Sequence, residues 1–279
     1  MARILIDFFS SALGRACQTE VFMPQAAGKK PGNKHPVLYL LHGTFNDQTA
    51  WGRLTAIERH VNDKDIAVVV PAAQDSAFSN MIKGERFYDH VAHEIPNVLC
   101  DMLPLCNDGD NVYIAGLSMG GYGALKIGLL NPSQYTAIGA FSCNNQAITQ
   151  GSGLKGPDLA IPTKRARLVF GRDQIGMAGG DPAFDLFEMA KRNLEHDQRL
   201  PSVFIACGDA DRNVRATQML ANFFLEMPNN PYRASYHEAP GNHDWVFWDT
   251  WIKHFLDSLP LDNTKVFGRF STDLERESK

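Results

Sequence analysis

The sequence predicts an α/β fold: a mostly parallel central sheet with an antiparallel hairpin at its N-terminal edge and helices on both faces. Three observations carry this expectation. Short, almost continuous apolar runs recur at Pro36 to Leu41, Ile66 to Pro71, Val112 to Ala115, Ala137 to Phe141 and Ser202 to Cys207. Strands covered by helices on both sides read this way, because neither face meets water. Longer amphipathic stretches alternate with these runs, as in units joined by right-handed crossovers. With 279 residues, 44% hydrophobic and 21% charged, the chain suits one large core better than two small ones.

In chain order, Arg3 to Phe9 and Cys17 to Met23 are β-rich and joined by Ser10-Ser11-Ala12-Leu13-Gly14-Arg15, which predicts the edge hairpin. A loop rich in Gly, Lys and Pro, Gly28 to Lys34, leads into the first inner strand. Helices are expected at Arg53 to Val61, Arg86 to Leu103, Met119 to Leu130, Phe184 to Leu194, Thr217 to Leu225 and Trp245 to Ser258. Pro96 and Pro104 make the second of these kinked or split. A last strand is expected at Arg233 to His237. Residues 144–181, heavy in Gly and Pro, read as a cap or insertion within a single domain spanning 1–279. There is no internal repeat, and the mixed-charge end Asp273 to Lys279 is expected to fray.

A formal charge of -4 and a pI near 6.1 argue against a nucleic-acid or anionic-membrane partner. No apolar stretch reaches the length of a membrane span. The run Met1 to Phe9 is broken by Asp7 and is too short for a secretory signal. The five cysteines (Cys17, Cys100, Cys106, Cys143 and Cys207) are scattered, without metal-like spacing. They read as buried free thiols, and a reduced, cytoplasmic location is expected.

The strongest chemical signal is Gly116-Leu117-Ser118-Met119-Gly120-Gly121, set between the strand Val112-Tyr113-Ile114 and the helix Tyr122 to Leu130. A G-x-S-x-G match gains meaning in that strand–turn–helix context, where it forms a nucleophile elbow. Ser118 must sit in a strained turn so that its hydroxyl stands clear of the sheet. Side chains at Gly116 and Gly120 would collide there. The helix that follows points its positive end at a developing oxyanion.

A serine nucleophile needs a base and an acid, in the chain order Ser, Asp or Glu, His for this fold. His243, in Ala239-Pro240-Gly241-Asn242-His243-Asp244-Trp245 between the last strand and the last helix, is the preferred base. His237, His254 and His196 read as packed or surface residues. The loop Cys207-Gly208-Asp209-Ala210-Asp211-Arg212 supplies the acid. Asp211 is preferred for its reach, with Asp209 as the alternative, bound instead to backbone amides of the turn. Asp244 is too close to His243 on one loop to orient it. The oxyanion donors are expected to be the backbone N–H groups of Met119 and of Thr44, in Leu40-Leu41-His42-Gly43-Thr44-Phe45, with His42 structural. Phe45, Trp51 and Trp245 are candidate substrate contacts, crowding the serine so that small acyl groups or an aromatic ring fit best. The rival pair His90-x-x-His93 with Glu94 has helical spacing for a metal but no third ligand in view, so no metal is expected.

These motifs, together with Asp185-Leu186-Phe187, His243-Asp244-Trp245-x-Phe247-Trp248-Asp249 and the opening Phe8-Phe9-Ser10-x-x-Leu13-Gly14-Arg15, make the chain resemble the tributyrin esterase branch of the esterase D family, within the α/β-hydrolase superfamily. That group is similar to S-formylglutathione hydrolases, feruloyl and acetyl-xylan esterases and mycolyltransferases. The resemblance runs from about residue 4 to 260. It implies a serine carboxylesterase without cofactor, often oligomeric, acting on small-molecule esters, with Ser118, Asp211 and His243 as triad. Asp209 departs from the family pattern as a second carboxylate in the acid loop. Phe141 to Gln146 lacks the proline-bearing stretch of the S-formylglutathione hydrolases, which weighs against a thioesterase. An acyltransferase, or a hydrolase fold used for binding alone, is the further alternative. The latter class usually lacks the serine or histidine, and both are present here.

Overall fold

The computed structural model describes residues 1–24, 33–143, 163–171, 184–196 and 198–261, with backbone alone for 163–166. The strands are β1 (Ala2–Ser10), β2 (Arg15–Met23), β3 (Val37–Leu41), β4 (Ala67–Pro71), β5 (Val112–Leu117), β6 (Ala137–Phe141), β7 (Ser202–Gly208) and β8 (Ser235–Ala239). They form one eight-stranded sheet in the order β1-β2-β4-β3-β5-β6-β7-β8. β1 and β2 make the antiparallel edge hairpin, and β2 runs antiparallel to β4. The remaining neighbours are parallel.

Helices α1 (Ala50–Leu54), α2 (Ile57–Val61) and α9 (Trp245–Ser258) cover one face. The other face carries α3 (Phe87–Asp89), a π-turn (His90–Glu94), α4 (Ile95–Met102), α5 (Met119–Leu130), α6 (Thr163–Phe170), α7 (Leu186–Asn193) and α8 (Val214–Leu225). β3 shows why both faces are dry. Val37, Tyr39 and Leu41 enter one core while Leu38 and Leu40 enter the other. The alternation of side chains along a strand thus feeds two apolar layers.

The expected helix over 53–61 is two short ones. The Thr55 hydroxyl donates back to the Trp51 carbonyl and ends α1, and Asp249 accepts the Ala56 N–H before α2 starts. The 86–103 stretch stays continuous through the π-turn, which seats Pro96 in the first turn of α4, where its missing N–H costs no bond. The last strand begins two residues later than expected, because Asn229, Asn230 and Arg233 all take positive φ and hold the chain in a turn. Apart from α6 and Gly171, the expected cap at 144–181 lies outside the described residues, as do most of the Gly28 to Lys34 loop and the Asp273 to Lys279 end. Among the described residues, no helix is long and apolar enough to cross a membrane.

Candidate active site

The strands β3, β5, β7 and β8 end on the same edge of the sheet, and the loops leaving those ends carry the chemistry. In open parallel sheets the crevice beyond the carboxyl ends of the strands is where ligands bind. Ser118 follows β5 with φ 51° and ψ -115°, a left-handed conformation for a residue with a side chain. Such strain costs on the order of 1–3 kcal/mol and persists only where the surroundings enforce it. Here the Ser118 N–H donates to the Phe141 carbonyl at 2.7 Å, and the Ser118 carbonyl accepts from the Tyr122 N–H. The elbow also needs its glycines. A Cβ on Gly116 would stand 2.4 Å from the Gly120 carbonyl, and one on Gly120 would stand 2.4 Å from the Leu41 carbonyl oxygen. Although Ser118 occupies the N-cap position of α5, its side chain caps nothing.

That hydroxyl points to His243 instead. Ser118 Oγ lies 3.1 Å from His243 Nε2, and His243 Nδ1 lies 3.0 Å from each carboxylate oxygen of Asp211. With Nδ1–H donating to Asp211, Nε2 is left as the acceptor for the serine proton. Asp211 is 3% exposed. Burial alone would raise its carboxyl, but the hydrogen bond and charge of His243 and the Asn213 N–H hold it below the usual range. Asp209 is exposed, and its carboxylate accepts the Gly241 N–H at 3.2 Å, a backbone amide of the neighbouring turn. Asp244 caps α9 by accepting from Phe247 N–H.

The loop after β3 packs against the elbow, since a Cβ on Gly43 would meet Leu117 Cδ1 at 2.4 Å. His42 is fully buried; its Nδ1–H donates to the Gly43 carbonyl and its Nε2 accepts the Ala73 N–H. It holds the loop. The Thr44 carbonyl accepts from Asn46 Nδ2, and the Phe45 N–H is taken up by Asp75. Asp75 was not legible as a loop anchor from the sequence. Met119 opens α5, where first-turn N–H groups have no partner within the helix.

The aromatic candidates divide. Phe45 is 78% exposed with φ 64°, and Trp245 is half-buried. Trp51 is not a substrate contact: it is fully buried, its indole N–H donates to the Leu41 carbonyl at 3.1 Å, and its ring meets Trp245 edge-on at 5.4 Å. Its size and apolar surface draw it into the core between β3 and α9, where it backs Trp245. The rival pair also separates. His90 is buried and bonded to Glu94, whose carboxylate holds the β1–β2 turn through Ser11 and Ala12 N–H groups, while the His93 ring packs on Tyr88. Among the described residues, no group of three or more His, Cys, Asp or Glu could hold a metal.

Fold and site together place the chain in the α/β-hydrolase class. A family model described as "Putative esterase" matches residues 10–260, and the chain belongs to that esterase family. An acetyl esterase of Caldicellulosiruptor saccharolyticus is 28% identical over 269 residues, covering 92% of this chain and 97% of the relative. Among solved structures, the fluorophosphonate-binding serine hydrolase FphF of Staphylococcus aureus superposes with a TM-score of 0.75 at 25% identity, over 92% of this chain and 97% of that one. The S-formylglutathione hydrolase FrmB of the same organism gives 0.77 at 24% identity over the same shares, a likeness of fold. The protein is a carboxylic ester hydrolase.

Proposed function

We propose that the protein hydrolyses short-chain or aryl carboxylic esters through an acyl-enzyme on Ser118, as in the tributyrin esterase branch of the family. The observation that carries this reading is the unbroken file from the strained Ser118 through His243 to the buried Asp211. In it, His243 Nε2 takes the Ser118 proton as Oγ attacks the ester carbonyl. The backbone N–H groups of Thr44 and Met119 hold the oxyanion, and Asp211 steadies the imidazolium. His243 then returns the proton to the leaving alcohol. Water, activated by the same imidazole, releases the acid.

A small acyl group is supported by the acetyl esterase relative. The aryl reading is supported by Phe45, whose exposed ring beside Thr44 can stack on a feruloyl-type acyl group. The substrate is a free small molecule, with no nucleic-acid or membrane partner, and the enzyme works in the cytoplasm, a place supported by its five free thiols. A homo-oligomer fits the family habit. The test is a panel of p-nitrophenyl acetate, butyrate, octanoate and decanoate with a feruloyl ester, acetylated xylan and S-formylglutathione. Turnover concentrated in acetate to butyrate or the feruloyl ester supports the proposal. A preference for S-formylglutathione over every ester would replace it with the thioesterase reading.

A further inference from the structure

The segment that follows β4 is strained, yet it lies outside the file of Ser118, His243 and Asp211. Gln74, Ala77 and Phe78 take φ of 47°, 51° and 49°, left-handed values for residues with side chains. Strain of this kind persists only where the surroundings enforce it, and it gathers at functional sites. Here Ser76, Ala77, Phe78 and Ser79 are all buried. Ser76 Oγ accepts the Phe78 N–H at 3.1 Å, and the Ser76 carbonyl accepts the Ser79 N–H at 3.2 Å. The Ser79 hydroxyl donates to the Ala77 carbonyl and accepts from Lys126 Nζ on α5. The Phe78 ring presses on α5, where a Cβ on Gly123 would stand 2.4 Å from Phe78 Cδ2, and it lies 5.7 Å from the His42 ring. The segment is a fixed shelf between α5 and His42.

Two hydrogen bonds tie that shelf to the loop after β3, one on each side of Thr44 along the chain. His42 Nε2 accepts the Ala73 N–H at 3.1 Å, while its Nδ1–H donates to the Gly43 carbonyl at 2.8 Å. Asp75 Oδ1 accepts the Phe45 N–H at 2.7 Å, and Asn46 Nδ2 donates to the Thr44 carbonyl at 3.0 Å. Both peptide planes that meet at Thr44 are thereby pinned. In a planar trans peptide the N–H points opposite to the C=O. With the Gly43 carbonyl turned to His42, the Thr44 N–H points the other way, and among the described residues no group accepts it. The second plane is held at its N–H by Asp75 and at its C=O by Asn46. Phe45 has φ 64°, a strained value that the Asp75 bond helps to enforce.

We propose that Asp75 is a positioning residue for the oxyanion hole: by holding the Phe45 N–H it fixes the peptide that follows Thr44, and with it the aim of the Thr44 N–H. The inference rests on the acyl-enzyme reading of Ser118 with Thr44 as an oxyanion donor. Asp75 acts through the backbone. What position 75 requires is therefore an acceptor oxygen mounted on the shelf, not a charge. Acylation and deacylation both pass through an oxyanion, so a slack Thr44 N–H slows both and leaves KM nearly unchanged.

The experiment is steady-state hydrolysis of p-nitrophenyl acetate by the full chain, with inhibition by a trifluoromethyl ketone, for wild type, Asp75→Ala, Asp75→Asn, Asn46→Ala and Ser118→Ala. The hemiketal that the ketone forms on Ser118 bears an oxyanion and reports the hole without turnover. Asp75→Ala is expected to lower kcat by about 10- to 100-fold with KM changed by less than about two-fold, a smaller loss than the roughly 10²- to 10³-fold of removing a donor outright. The inhibition constant of the ketone should rise by about the same factor as kcat falls. Asp75→Asn keeps the acceptor oxygen and should restore kcat to within about three-fold of wild type. Asn46→Ala frees the other end of the same peptide; it should move kcat and the inhibition constant the same way, and it carries the test if Asp75→Ala does not fold. A folded Asp75→Ala, or in its place a folded Asn46→Ala, with both quantities unchanged overturns the proposal, whatever its melting temperature. So does an Asp75→Asn as impaired as Asp75→Ala, or a loss confined to KM. Wild-type turnover surviving in Ser118→Ala would instead refute the acyl-enzyme reading beneath it.

Discussion

His243 Nε2 lies 3.1 Å from Ser118 Oγ, although 125 residues separate the two in the chain. The contact exists because β5 and β8 deliver their loops to the same edge of the sheet, and because the elbow turns Ser118 outward rather than letting it cap α5. Ser118→Ala and His243→Ala are each expected to cut kcat/KM for p-nitrophenyl acetate by on the order of 10³-fold or more. The double variant should be little worse than either, because the two act as one unit. Losses that multiply in the double variant would show independent roles.

For the acid, Asp211→Asn should cost far more activity than Asp209→Asn. The first carboxylate is buried against His243, whereas the second is exposed and binds Gly241 N–H. An amide at 211 cannot stabilise the imidazolium and can impose the wrong tautomer. Steady-state kinetics of the two variants side by side decide it. A crippled Asp209→Asn beside an active Asp211→Asn would move the assignment back along the loop.

Gly120→Ala is expected to destabilise the fold by about 3 kcal/mol, since its Cβ would press on backbone oxygens of Leu41 and His42, at 2.4 and 2.6 Å, that cannot step aside. Urea denaturation measures this, and an unchanged midpoint would mean that the elbow is less tightly packed than described.

Stability should fall as pH drops below histidine's usual value. Burial pushes the pKa of His42 and of His90 down, in the second case against the upward pull of Glu94. His42 in particular uses Nε2 to accept the Ala73 N–H, a bond that a proton there would destroy. The folded state therefore keeps these rings neutral while the unfolded chain protonates them near pH 6.5, so the unfolded state binds more protons below that point. The stability is complete above about pH 6.5 and is lost progressively as pH falls toward the depressed folded values. The urea midpoint should decline between about pH 7 and about pH 5.5, and less steeply in His90→Gln. A flat midpoint across that window would contradict the account.

Much of this was legible in the sequence because local patterns and chemistry agree there. The runs at β3 to β7 are apolar on both faces, which is what two covering layers demand, and G-L-S-M-G lies between a strand and a helix as an elbow requires. Asp211 and His243 could be chosen because each sits just past the end of a strand. What the pattern could not show was which large side chains lie inside. Trp51 and Trp245 look alike as sequence, yet one is sealed under the other. Nor does any local motif mark Asp75, whose partner Phe45 lies 30 residues away. Boundaries slipped where local bonding or backbone conformation rather than periodicity ends an element, as the Thr55 hydroxyl does for α1 and the positive φ of Arg233 does before β8.

Peptide mass mapping after reaction with a fluorophosphonate, or with p-nitrophenyl acetate quenched in acid, tests whether Ser118 is the nucleophile. A single covalent adduct is expected on the peptide that contains Ser118, absent from Ser118→Ala and accumulating more slowly in His243→Ala. An adduct on another residue, or ester turnover at the wild-type rate in a Ser118→Ala protein that takes no label, would contradict it.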